Sequence, residues 1–173
     1  LIEIREPRRR NAVIASTFEY VAYIRTNPDK LWLLLTEPRF IAQYWFGMRC
    51  ESQWTPGSSW ELLSADGQVF DSGTIVEAEP LRWLSIRWQH QLKPELRAEG
   101  PSHCTMQLEP SGTAVKLTII HSIDRSPSKL IEAVSAGWPK VVSNLKSLLE
   151  TGLVALMEPY PANPSRAGLP ATH

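Results

Sequence analysis

The sequence is short of the features that mark most specialised proteins. It has 2 cysteines in 173 residues, too few for a disulfide framework, and Cys50 and Cys104 fit a reducing, cytoplasmic setting. Its 18 basic and 18 acidic side chains cancel, so the basic excess that nucleic-acid binding calls for is missing. No apolar run approaches the roughly 20 residues that cross a bilayer, and no membrane insertion is expected. No basic start leads into an apolar segment with a small-residue cleavage site, so nothing signals secretion. The sequence also lacks CxxC and HExxH spacings, a G-x-S-x-G turn and a phosphate-binding glycine loop. On that basis no metal, no cofactor and no catalytic residue is assigned.

What is abundant is tryptophan, at 7 residues, with 14 prolines to punctuate the chain. The length suits one domain that buries roughly 70% of its unfolded surface without covalent help. Residues 1–14, with the Arg8-Arg9-Arg10 run, read as an N-terminal tail. Residues 158–173, carrying Pro159, Pro161, Pro164, Gly168 and Pro170, read as a flexible C-terminal tail. The domain spans 15–157.

Within it, Phe18 to Arg25 alternates as a strand with Phe18, Tyr20, Ala22 and Ile24 inward. Asn27 caps a short helix that has Pro28 at its first position. Glu37-Pro38 opens a second helix, which stops at Gly47. Six strands follow: 48–53, 59–64, 69–78, 82–89, 103–109 and 114–123. Pro56-Gly57, Asp66-Gly67, Glu79-Pro80 and Ser111-Gly112 supply their turns. Lys93 to Pro101 reads as an exposed loop. Leu130, Ile131, Val134, Trp138, Val141, Val142, Leu145 and Leu148 then recur at helical spacing. Ser126 is the expected cap of this last helix, Pro139 an expected kink, and Gly152 its end. A meander of about seven strands has one long amphipathic helix to cover, so the sheet must curve around it.

That order of elements resembles the helix-grip fold of the START-like (SRPBCC) superfamily, an α+β fold. Asn27-Pro28-Asp29-Lys30-Leu31-Trp32 with Leu35-Thr36-Glu37-Pro38 resembles its opening motif, and Tyr44-Trp45-Phe46-Gly47 the stretch that follows. Thr118 to His121, Gly137-Trp138 and Leu145 to Glu150 resemble the closing strand and helix. Together they are similar to the branch named for activators of heat-shock-protein ATPase, over residues 16 to 152. The resemblance implies a mostly apolar cavity between sheet and long helix, used by relatives for lipids, sterols or polyketides. The branch name implies a chaperone partner, but no partner module is seen here, so co-chaperone action is not expected.

Parity places the candidate cavity. Tyr44, Trp45 and Phe46 should stand near its mouth. Trp60, Phe70 and Trp88 should face inward from the sheet, with Leu84, Ile86 and Met106. On the last strand Lys116 faces water, which turns Ile119 and His121 inward, and Trp138 and Val142 face them from the helix. Asp71, Glu61 and Glu77 read as solvated carboxylates. Trp83 has the opposite parity, and the outer face around it would serve a homodimer contact. The leading expectation is binding of a small hydrophobic molecule, lipid-like, polyketide-like or aromatic. Two alternatives stand beside it: an enzyme using His121 in acid–base chemistry, and a co-chaperone-like interaction module. A buried histidine is more often a hydrogen-bonded core residue than a catalyst, and a second titratable group beside it would decide.

Overall fold

The computed structural model describes residues 14–158, so both expected tails lie outside the described residues except at their inner ends. The elements are β1 (Ser16–Ile24), α1 (Pro28–Thr36), α2 (Pro38–Tyr44), β2 (Arg49–Ser52), β3 (Ser59–Leu63) and β4 (Val69–Glu79). They continue with β5 (Trp83–His90), α3 (Pro94–Arg97), β6 (Ser102–Ser111), β7 (Ala114–Ile123) and α4 (Lys129–Thr151). The strands form one antiparallel sheet in the order β1-β7-β6-β5-β4-β3-β2. Only the passage from β1 to β2 leaves the meander. It has to travel from one edge of the sheet to the other, and α1 and α2 carry it.

Local signals set most boundaries. Asn27 Oδ1 accepts from Lys30 N at 2.9 Å, capping α1 ahead of Pro28. Phe46 and Gly47 both take positive φ, at 51° and 78°, and Gly47 N bonds to Ala42 O at 3.0 Å. That left-handed pair stops α2 and turns the chain into β2. Gly152, at φ 80°, ends α4 at the expected place.

The concave face of the sheet packs on α1, α2 and α4. Leu84, Ile86, Cys104, Met106, Leu117 and Ile119 are all buried there, opposite Trp138, Val141, Val142 and Leu145 of α4. Asn144 ties this helix to its neighbours. Its Nδ2 donates to Tyr44 O at 3.2 Å and to Leu156 O at 2.9 Å, while its Oδ1 accepts from Leu156 N at 2.7 Å. Both cysteines are free and buried.

Three expectations are corrected. The cap of α4 is Ser128, not Ser126: its Oγ accepts from Ile131 N at 3.1 Å and donates to Glu99 Oε2 at 2.6 Å. The same carboxylate takes Lys129 N at 2.8 Å and Leu130 N at 3.2 Å, so a distant acid selects the start of the helix. The 93–101 segment is not all exposed loop. It holds the single turn α3, whose Leu96 is buried with Ile123, Leu130 and Ile131 in a second, smaller core. Finally, α4 runs through Pro139 without a break. The proline removes one amide donor, but the apolar contacts of Trp138, Val141 and Val142 hold both sides of it against the sheet.

Parity on β4 also differs from expectation. The inward residues are Asp71, Gly73 and Ile75, paired across from His90, Trp88 and Ile86 of β5. The β3–β4 register jumps between Leu62 and Leu63, which face Asp71 and Val69, so Phe70 is the extra residue of a bulge. One inserted residue exchanges the faces of everything beyond it.

Gly73 lies between Trp60 of β3 and Trp88 of β5 in one cross-strand row. Those strands are not neighbours, yet the two indole rings come to 4.2 Å between centroids. They meet because nothing projects from Gly73 between them. A Cβ built there would also lie 1.8 Å from Arg87 O. Replacing Gly73 with Ala is expected to destabilise the fold by about 2 kcal/mol or more, measured as a lowered midpoint in urea unfolding.

Candidate functional site

Two cross-strand rows on the concave face define what space remains beside α4. The inner row runs Ser52, Trp60, Gly73, Trp88, Ser102. Trp88 is its hub. Its ring lies 4.2 Å from Trp60, 6.4 Å from Trp45, 6.0 Å from Trp138 and 5.2 Å from His121. Trp45 and Trp138 approach each other at 5.2 Å. Four indoles therefore fill the space that an empty grip would leave open.

The interior void that survives is about 20 Å³. It touches Tyr44, Trp45, Trp60, Leu84, Ile86, Met106, Ile119, Trp138 and Val142, nine of the residues expected to line a cavity. Those side chains do come together, but around a space the size of one water. Burial pushes the Tyr44 hydroxyl up from its usual range, with Cys50 beside it adding to the shift.

His121 does not line this void. It is fully buried and both ring nitrogens are engaged. Trp138 Nε1 donates to His121 Nδ1 at 3.2 Å, which makes Nδ1 the acceptor. Nε2 then carries the proton and pairs with Ser102 Oγ at 2.7 Å, and that hydroxyl donates to Trp88 O at 3.3 Å. Burial, and secondarily the charge of His103, pushes the imidazole down to about 3. A neutral ring with two committed nitrogens has neither a free lone pair nor a ligand-facing proton. It acts as a strut between β6 and α4.

The outer row runs Cys50, Leu62, Asp71, His90, and its last three residues form the floor of a different space. This groove, about 380 Å³, opens between the ends of β3, β4 and β5 and the first half of α4. Trp45, Phe46, Phe70, Trp88 and Trp138 line it, five of the expected residues. Phe46 arrives there through the positive-φ turn after α2, and Phe70 through the β4 bulge. Leu96 and Leu130 close one end, held together by the Glu99 carboxylate on the first turn of α4. That carboxyl loses solvation on burial, yet hydrogen bonds from Ser128, Lys129 and Leu130 and the charge of Arg125 outweigh this and hold it below its usual range.

Four polar side chains of this groove escaped the sequence reading. Asp71 is not solvated: it is 8% exposed, and its Oδ1 takes His90 Nδ1 at 2.7 Å. His90 Nε2 is buried without a protein partner. Lys93 and Lys140 also border the groove. The parity signal for His90 was present, since it lies two residues beyond inward-facing Trp88, but ending the strand at Gln89 hid it. No group of three or more metal-type ligands occurs among the described residues, and no described helix is long and apolar enough to cross a membrane.

A curved antiparallel sheet gripping one long helix, with a groove of ligand size beside that helix, defines a START-like helix-grip protein. The chain belongs to the Activator of Hsp90 ATPase homolog 1-like family, whose model matches residues 25–150. Among solved structures it is similar to protein MLL2253 from Mesorhizobium loti, at 25% identity and TM-score 0.68, covering 78% of this chain and 97% of that one. DynU16, a protein of the dynemicin biosynthetic locus, matches at 25% identity and TM-score 0.66 over 80% of this chain and 48% of its own. The Aha1 dimer protein from Colwellia psychrerythraea shares the fold at 19% identity and TM-score 0.64, over 79% and 98% of the two chains. No curated protein matches the sequence.

His121 gives a pH signature. Its folded-state value, about 3, lies below the ordinary histidine value of 6.5, so the unfolded chain binds the proton first. Stability is expected to be fully present above pH 6.5 and to fall by roughly 1 kcal/mol per unit as pH drops from there toward 4. Urea unfolding across that range checks this. Histidine NMR should show the His121 ring neutral, with a proton on Nε2 alone, at pH 5.

Proposed function

We propose that this protein binds a small apolar molecule in the groove between the ends of β3–β5 and the first half of α4, not in the centre of the grip. The observation that carries the reading is the contrast in space: about 380 Å³ in an aromatic-lined groove against about 20 Å³ inside. Small-molecule sites span roughly 300–1,000 Å³ and are mostly apolar with a few polar groups, a description the groove meets. Gly137 contributes to it, since a Cβ there would meet nothing. The family model and the likeness to DynU16, from a biosynthetic locus, support a small-molecule role in general. Relatives named for HSP90 activation support an interaction role at the same coarse level.

Specific contacts favour the groove over the rivals. An interaction surface around Trp83 would need an exposed apolar ring, but Trp83 is half-buried and its Nε1 donates to Glu77 Oε2 at 2.9 Å. Acid–base chemistry at His121 would need a free nitrogen, and it has none.

The neutral probe 2-methoxynaphthalene is expected to quench tryptophan fluorescence saturably, because Trp45, Trp88 and Trp138 border the groove. Ala133 is an exposed residue at its edge. Ala133→Trp should leave the unfolding midpoint nearly unchanged and weaken the probe by about tenfold or more. Undiminished binding to that variant would move the site elsewhere.

A further inference from the structure

We propose that the Asp71–His90 pair is the polar anchor of the groove and selects ligands that carry a weakly acidic hydroxyl, phenol or enol, on an aromatic or polycyclic apolar body. This deepens the groove reading and rests on it. The two residues face each other in register on neighbouring strands, and both line the groove. A carboxylate can only accept, so the 2.7 Å contact assigns the proton of the pair to His90 Nδ1. In the neutral ring Nε2 is then a lone-pair acceptor. It is the one nitrogen of the pair that no protein group satisfies, and solvent does not reach it.

An acceptor left in that state has given up its hydration without return, and a donor that reaches it recovers the loss. The contrast with His121 is what separates a site from a strut. His121 uses both nitrogens within the protein, whereas His90 uses one and keeps the other unspent. Because Nε2 is closed off in the unliganded protein, pairing requires a small displacement of the groove wall as the ligand enters.

The chemistry of the donor narrows the ligand. An amine would arrive as a cation in a groove that Lys93 and Lys140 already border. An aliphatic alcohol is a weaker donor than a phenol or enol, and its body would not match the rings of Trp45, Phe46, Phe70 and Trp88. A phenolic or enolic hydroxyl gives the stronger hydrogen bond to an imidazole nitrogen, and the two lysines favour the partial negative charge its oxygen acquires. The proton stays on the ligand oxygen in this assignment, and no bond is made or broken.

The test compares 2-naphthol with 2-methoxynaphthalene, which has the same ring body but no hydroxyl donor, by calorimetry on the full chain at pH 7. The naphthol should bind about tenfold more tightly, the equivalent of one net hydrogen bond to a buried acceptor. His90→Phe should bring the two affinities together. The wild-type protein supplies a measurement that needs no variant: histidine nitrogen-15 NMR should show Nδ1 protonated and Nε2 as a bare lone pair. Adding 2-naphthol should then move the Nε2 resonance, and the methyl ether should not. Equal affinities in the wild type, a preference that survives His90→Phe, or an Nε2 signal unmoved with naphthol bound would each overturn the anchor while leaving the groove intact. Binding of neither probe would remove the groove reading and the anchor with it.

Discussion

Two tryptophan rings from strands that do not touch meet over a residue with no side chain. Trp60 and Trp88 approach to 4.2 Å above Gly73, and much of the molecule follows from that contact. Strands two apart in a sheet are separated by roughly 10 Å, so ordinary side chains on them are kept apart by whatever the middle strand projects. Removing that projection lets the indoles close over the sheet. Trp138 from the long helix and Trp45 from the end of α2 then complete the plug. A helix grip whose centre is filled in this way has its ligand-sized space displaced toward one end.

Position along the strands decides what each row does. The inner row is tied into the core through Ser102 and His121 to Trp138, so the polar atoms of those three side chains hold sheet and helix together. One step outward the same pairing pattern gives Asp71 opposite His90, but no helix side chain satisfies the far nitrogen. Two histidines thus reach different ends by the same rule, that a polar atom removed from water needs a partner. His121 finds both within the protein. The Glu99 carboxylate works at the boundary of the groove, binding the first turn of α4 and so fixing α3 and Leu96 against Leu130.

The architecture was largely legible in the chain. Asn27-Pro28, Asp66-Gly67 and the amphipathic run from Leu130 to Leu149 each depend on nearby residues, and near-neighbour chemistry is what pattern reading senses. The misses share a cause. Ser128 displaced Ser126 as cap because Glu99 sits opposite it, 29 residues away in sequence. Pro139 failed to break its helix because packing on both sides outweighs one lost amide bond. Asp71 was misread as solvated because a bulge at Phe70 exchanged the faces of β4, and an inserted residue leaves no mark in a period-two count. The candidate site was half legible: Trp45, Phe46, Phe70, Trp88 and Trp138 line the groove, whereas its two defining polar groups were not foreseen.

Composition and order by themselves pointed to an α+β fold, a meander curved round one helix, and an excess of tryptophan directed inward. Periodicity carries that much because burial of an apolar face is a property of each element taken alone. Whether the tryptophans line a cavity or fill it was a matter of volume, and volume depends on how six or more elements meet. The tertiary structure decided it by bringing Trp60 and Trp88 together over Gly73 and turning Asp71 toward His90. Both outcomes are relations between strands, set by register and a single bulge, and no one strand contains them.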